Sequence, residues 1–243
     1  MAIARERLNR YLARRGVSSR RGADTLIGAG RVAVNGATAT VGSSVDPELD
    51  VISVDGNPIP RASRPVTVLL NKPVGVVTTV RDPQGRPTVM DLVTSVPGLV
   101  PVGRLDADSR GLLLLSTDGE LVHRLTHPRH EVTKRYRLVL DRDVAPEHLH
   151  RLVAGVHLED GPARAVAAHR GSTASASVIE VTMAEGRKRE VRRLCSAVGL
   201  RVVDLLRVAF GPIVLGQLGE GETRALTPGE ERDLYACVGL VVP

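Results

Sequence analysis

The chain has 243 residues, with 33 lysines and arginines against 27 acidic residues, a formal net charge of +6 and a sequence pI near 10.0. At 42% hydrophobic and 25% charged it falls in the globular range, which excludes wholesale disorder. Apolar runs such as Leu112 to Leu115 fall far short of the roughly 20 residues a membrane-spanning helix needs.

Residues 1–31 hold eight arginines against Glu6 and Asp24. Within them Leu8, Tyr11 and Leu12 recur at helical spacing, and Gly16 ends the first helix. Ser18 or Ser19 can cap a second helix, in which Ala23, Leu26 and Ile27 repeat the spacing before Gly28 and Gly30 close it. Residues 31–36 alternate like a strand into the hairpin signal Asn35-Gly36, and a strand over 51–54 runs into Asp55-Gly56. The proline-punctuated stretch that follows reads as connecting chain. This divides the sequence into a small domain over 1–60, a linker over 61–65 and a larger domain over 66–243.

The larger domain is strand-rich. Strands are expected at 66–72, at Leu112 to Leu115, at 135–140 and at 177–183. Leu121, Val122 and Leu125 mark a helix before Pro128, and Val191, Leu194, Cys195 and Val198 mark another ending at Gly199. The mixture predicts an α+β fold on a largely antiparallel sheet. Asp118, before Gly119, reads as a plain turn residue.

A second basic cluster spans 186–207, with Arg187, Lys188, Arg189, Arg192, Arg193, Arg201 and Arg207. Two arginine-rich clusters favour a polyanionic partner, nucleic acid above all, over a merely solvated face. With no Trp, one Phe and three Tyr, such binding rests on charge and shape rather than on rows of stacked rings. The sequence lacks a GxxxxGK[ST] loop, a GxGxxG and a GxSxG elbow, so nucleotide-driven and serine-hydrolase chemistry have no signature. His123, His127 and His130 lack a convincing companion ligand and read as surface or RNA-facing. Two cysteines cannot make a disulfide framework and the N-terminus has no apolar leader, so a cytoplasmic protein is expected.

The strongest local feature is PVGRLDADSRGLLLLSTDGEL, residues 101–121, where a polar loop feeds an apolar strand. A carboxylate at the mouth of a buried strand is rigidly placed, as a reacting group must be. Turn chemistry is the bland alternative, and Asp106 with Asp108 could also form a metal-holding DxD pair.

GRLDADSRGLLLLSTDGEL resembles the catalytic motif of the RsuA/RluB-type ribosomal RNA pseudouridine synthases. LNKPVGVVTTVRDPQGRPTVMDLV (70–93), LTHPRHEVTKRYRL (125–138) and EGRKREVRRLCSAVGLRVVDLLRVAFGPIVLGQL (185–218) are similar to further segments of that family. The stretch RLNRYLARRGVSSRRGADTLIGAGRVAVNG resembles an S4-type RNA-binding module. The resemblance implies Asp106 as the essential catalytic aspartate and Tyr136 as the ring that stacks on the uracil. It further implies Arg192 as the arginine pairing with that aspartate and Arg104 as a side chain near the vacated RNA position. Without it, Tyr136 reads as a half-buried strand residue and Arg192 as one more phosphate contact. In the S4-like module it places Arg7, Arg10, Ser19, Arg20 and Arg21 at the RNA. Ser109, Leu194, Cys195 and Thr223 depart from the family's usual residues, none within the catalytic set.

The implied reaction isomerises a specific uridine of ribosomal RNA without metal or cofactor, by a monomer with no membrane and no obligatory protein partner. The opening and closing segments look more like enzymes of the 23S large-subunit RNA. Alternatives are the same reaction on 16S RNA, a non-catalytic S4-type ribosome-assembly factor, or a metal-dependent transferase using the DxD pair.

Overall fold

The computed structural model describes residues 5–60, 64–171 and 177–243; positions 61–63 of the expected linker lie outside the described residues. In the N-terminal module, helices α1 (Leu8–Arg14) and α2 (Arg20–Gly28) bury Leu8, Tyr11 and Leu12 against Ala23 and Ile27. The Ser19 hydroxyl caps α2 by accepting the Gly22 N–H at 3.1 Å. Four short strands in the order Ala37–Thr38, Val32–Val34, Ile52–Val54, Asn57–Pro58 form the module's sheet, and Glu6–Arg7 pairs with Ser44–Val45 beside it. At both hairpin turns the central residues have positive φ: Asn35 52° and Gly36 84°, Asp55 51° and Gly56 78°. Asn57–Pro58, expected as connecting chain, is one of the two edge strands of this sheet. Proline is tolerated there because an edge position need not donate an N–H on its outer side.

The larger domain is built on a nine-stranded sheet. Its main path runs Ala167–Arg170, Val178–Met183, Lys134–Leu140, Val202–Phe210, Arg110–Ser116, Thr67–Lys72, Thr223–Ala225. These pairs are antiparallel except the one between Val202–Phe210 and Arg110–Ser116. Four helices cover the sheet: α3 (Gly119–Thr126), α4 (Pro146–Ala154), α5 (Glu190–Ala197) and α6 (Pro228–Ala236). Leu113 and Leu115 enter a core with Leu152 of α4 and Leu194 of α5. Leu112 and Leu114 enter a second core with Leu125 of α3 and Leu234 of α6. A strand buried on both faces has no polar side to alternate, hence the unbroken leucine run.

Asp118 does more than turn the chain. Its carboxylate accepts the Glu120 and Leu121 N–H groups at the start of α3, and the Tyr235 hydroxyl of α6 at 2.8 Å. Burial, reinforced by this acceptor, pushes the Tyr235 phenol above its usual range.

The two modules touch where α1 ends. A Cβ on Gly98 would sit 2.4 Å from the Arg14 carbonyl oxygen, so only glycine permits this approach. Arg10 crosses the same boundary to Glu120 at 2.9 Å.

Gly111 has the same kind of role at the parallel strand pair. Its φ is 105°, and an added Cβ would lie 2.4 Å from the Arg207 carbonyl oxygen. Gly111→Ala is expected to cost about 3 kcal/mol from backbone strain and overpacking. Thermal unfolding would show this as a fall of roughly 6–12 °C in Tm.

Candidate active site

The loop from Arg104 to Ser109 lies between the Val100–Pro101 and Arg110–Ser116 strands. Its backbone carbonyls are held one after another. Arg207 Nη1 donates to the Arg104 carbonyl at 3.4 Å, and the Thr78 hydroxyl to that of Leu105 at 2.7 Å. The Lys72 ammonium donates to Asp106 at 3.2 Å and to Ser109 at 2.8 Å. The Gly75 N–H takes the Ala107 carbonyl at 2.7 Å, and Arg192 Nη2 takes that of Asp108, also at 2.7 Å. A loop with every carbonyl engaged keeps its side chains in place without reorganisation, which is what electrostatic catalysis requires.

Beside this loop is a cavity of about 330 Å³, at the small end of the ~300–1,000 Å³ range of ligand sites. Arg104, Asp106, Tyr136 and Arg192 all line it, together with Arg189. The four residues singled out in the larger domain therefore meet in one place, although 88 positions separate Arg104 from Arg192. Tyr136 comes from the Lys134–Leu140 strand and is 8% exposed, with its ring set into the first core. Arg104 is exposed at the rim.

The expected pairing of Arg192 with Asp106 is made differently. Arg192 Nε lies 3.4 Å from an Asp108 carboxylate oxygen, and its Nη1 donates to the Val202 carbonyl at 3.1 Å. Arg189 is the guanidinium near Asp106, at 4.0 Å, while holding Asp108 through two hydrogen bonds of 3.1 and 2.9 Å. The reason is the backbone: Arg189 sits at the N-cap of α5 with φ 51° and ψ 28°. That left-handed conformation, uncommon for a long side chain, turns Arg189 toward the loop, while Arg192 lies one helical turn further on. The Arg189 hydrogen bonds lower the Asp108 carboxyl below its ordinary range against partial burial, with Arg192 assisting.

Two further cations stand behind the cavity: Lys72, which carried no expectation, and Arg207, expected only as one member of the second basic cluster. Lys72, fully buried, sends its third hydrogen bond to the Pro73 carbonyl at 2.9 Å. Burial pushes its ammonium down to about 8, opposed by Asp108 and Asp106. Arg207, 2% exposed, donates from Nε to the Leu112 carbonyl at 2.6 Å. A lysine or arginine closing or interrupting an apolar strand is the sequence signal for both.

In the N-terminal module Arg7, Arg20 and Arg21 are exposed. Arg10 is bound to Glu120, and the Ser19 hydroxyl is occupied as a cap. His127 meets His123 at a tilt and His130 edge-on, with centroids 5.3 and 6.5 Å apart. Among the described residues no group of three or more His, Cys, Asp or Glu is placed to hold a metal ion.

Comparison with known proteins agrees with this architecture. A family model described as RNA pseudouridylate synthase matches residues 66–197, and one for the S4 domain matches residues 6–51. An uncharacterised RNA pseudouridine synthase of Aquifex aeolicus is 41% identical, with 96% of this chain and 95% of the relative aligned. Ribosomal large subunit pseudouridine synthase B of Bacillus subtilis is 40% identical, over 95% of this chain and 96% of its own length. A crystal structure of a pseudouridylate synthase superposes with a TM-score of 0.67 at 31% identity, covering 94% of this chain and 99% of that one. The chain belongs to the RNA pseudouridine synthases, isomerases of RNA uridine, with an S4 domain ahead of the synthase domain.

Proposed function

We propose that this protein converts a uridine of 23S ribosomal RNA to pseudouridine, with Asp106 as the reacting carboxylate. The observation that carries the reading is the convergence of Asp106, Tyr136, Arg104 and Arg192 on one cavity beside a fully hydrogen-bonded loop. Support for the 23S target comes from the large-subunit relatives.

In the reaction the N1–C1′ bond breaks and a C5–C1′ bond forms; the proton leaves C5 and N1 regains one. Nothing is gained or lost overall, so the chemistry asks for no redox partner or nucleotide. The base must first leave its stack, at a cost of a few kcal/mol in structured RNA. Tyr136 offers the freed uracil a ring to lie against, and Arg104 at the rim faces the gap left in the RNA. Asp106 reacts with the nucleoside, while Arg189 and Arg192, anchored through Asp108, keep positive charge at the mouth. We read the chain as a cytoplasmic monomer with RNA as its partner, the small domain spanning 1–60 and the synthase domain 66–243.

Mapping pseudouridine in ribosomal RNA from cells with and without the gene tests this directly. One 23S uridine is expected to lose its modification. An unchanged map would favour a non-catalytic RNA-binding role, and a change confined to 16S RNA would move the target.

The S4 module should contribute charge rather than chemistry. The double variant Arg20→Ala/Arg21→Ala is expected to bind RNA more weakly and to flatten the dependence of log K on log salt by about 1.4 to 1.8. Arg10→Ala should leave that slope near the wild-type value, because its guanidinium is committed to Glu120. Filter binding across a salt series checks both.

A further inference from the structure

Tyr136 and Arg104 also line a second, adjoining compartment of about 220 Å³. Its other lining residues include Thr126, Lys134, Arg207 and Phe210. The sheet fixes their register, with Lys134 opposite Phe210 and Tyr136 opposite Arg207. The chain's single phenylalanine carries both cations: Arg207 lies 5.2 Å and Lys134 5.6 Å from its ring centroid.

The charge here is unbalanced. Arg187, Arg189 and Arg193 each hold a carboxylate, at 2.9 Å from Glu190, Asp108 and Asp160 respectively. Among the described residues neither Lys134 nor Arg207 forms an ion pair within 4 Å. Arg207 meets the Tyr136 hydroxyl but no carboxylate, its Nη2 has no partner in good hydrogen-bonding geometry, and Lys134 has one bond of 3.3 Å to the Ala184 carbonyl. Glu185, which also lines the compartment, is drawn off to Arg187 at 3.2 Å. Burying a cation without a counter-ion is costly, and a buried donor without an acceptor adds to the cost. One buried and one half-buried cation on one small compartment call for an anion that arrives from outside.

We propose that this compartment binds a backbone phosphate of the RNA beside the target uridine, with Lys134 as its donor and the buried Arg207 guanidinium supplying positive charge from behind. The proposal rests on the reading that the cavity on the other side of Tyr136 receives the uridine. A nucleotide seated there brings its flanking phosphates with it, and a phosphate supplies the missing negative charge and an acceptor for Lys134. Apolar lining alone would suit a neighbouring base, but a base would leave both cations uncompensated.

The test measures binding of an unmodified bacterial 23S rRNA transcript over a salt series, with Tm as a fold control. Lys134→Met is expected to weaken binding roughly tenfold and to flatten the salt slope by about 0.7 to 0.9, the signature of one lost phosphate contact. Thr126→Glu, at an exposed position, puts a carboxylate at the compartment and should reproduce both effects; Thr126→Gln should show neither. A folded Lys134→Met with the wild-type slope overturns the proposal. Should Lys134→Met not fold, the Thr126 pair decides, and Thr126→Glu with the wild-type slope overturns it. Tritium release by the wild-type protein from the same RNA and from a 16S transcript is read separately. Its absence from both 23S and 16S transcripts overturns the catalytic reading and the uridine neighbour of this site with it; turnover with unchanged slopes overturns the phosphate site alone.

Discussion

Asp106→Asn is expected to release no measurable tritium from RNA labelled at uridine C5, a fall of at least about four orders of magnitude. Its affinity for the same RNA should stay within about threefold of wild type. The two outcomes separate because of how the loop is held. Lys72 grips the Asp106 carbonyl, not its carboxylate, so the amide side chain inherits the same backbone position. Arg189 keeps its two hydrogen bonds to Asp108, so the cavity mouth does not rearrange when Asp106 loses its charge. What disappears is a carboxylate able to act as nucleophile or base, and an amide is neither. Substantial turnover by the asparagine variant would remove Asp106 from the chemistry altogether.

How much of this was legible in sequence depended on the range of the interaction. Leu8, Tyr11 and Leu12 at helical spacing, and Asn35-Gly36 between two strands, are local signals, and the structure contains both features. The loop around Asp106 was legible for the same reason, since glycine, arginine and aspartate run straight into a buried strand. Helix α6 was passed over although its signal is local too. Thr227 accepts the Glu230 N–H and Pro228 stands at the first helical position, a capping pattern that the sequence displays. Arg10 shows the limit of composition. It reads as one of eight phosphate-seeking arginines, yet its partner Glu120 lies 110 residues away. Arg189 and Arg192 could not be told apart by spacing, because a left-handed N-cap rather than the helix period aims Arg189 at the loop. Lys72 and Arg207 were hidden for a related reason. A cation in a strand is read as leaning toward water, and only the fold brings it carbonyls from far along the chain: Lys72 meets Ser109, 37 positions on, and Arg207 meets Leu112, 95 positions back.

Lys72→Met should lower kcat about a hundredfold while leaving KM within a few-fold, the pattern of a positioning residue whose loss lets the reacting group drift by an ångström or so. The ammonium has three protons and meets three carbonyls, of Pro73, Asp106 and Ser109. Methionine matches its length and supplies none of them. Stability should change less than activity: the variant orphans carbonyls but also removes a buried charge, and these terms offset to within about 2 kcal/mol. The pH profile separates positioning from simple packing. With burial holding Lys72 near 8, and an unfolded value of about 10.4, the unfolded chain binds the proton more tightly than the native one between those limits. The stability cost of this group is therefore complete below about pH 8 and is relieved as the pH rises toward 10. Activity runs the other way, since the neutral amine has one N–H fewer and must release a carbonyl of the catalytic loop. Wild-type kcat is thus expected to fall above about pH 8 without a matching loss of Tm from this group, and that alkaline limb should be missing in Lys72→Met. A variant that keeps both the wild-type kcat and the alkaline limb would show that the loop holds Asp106 without Lys72.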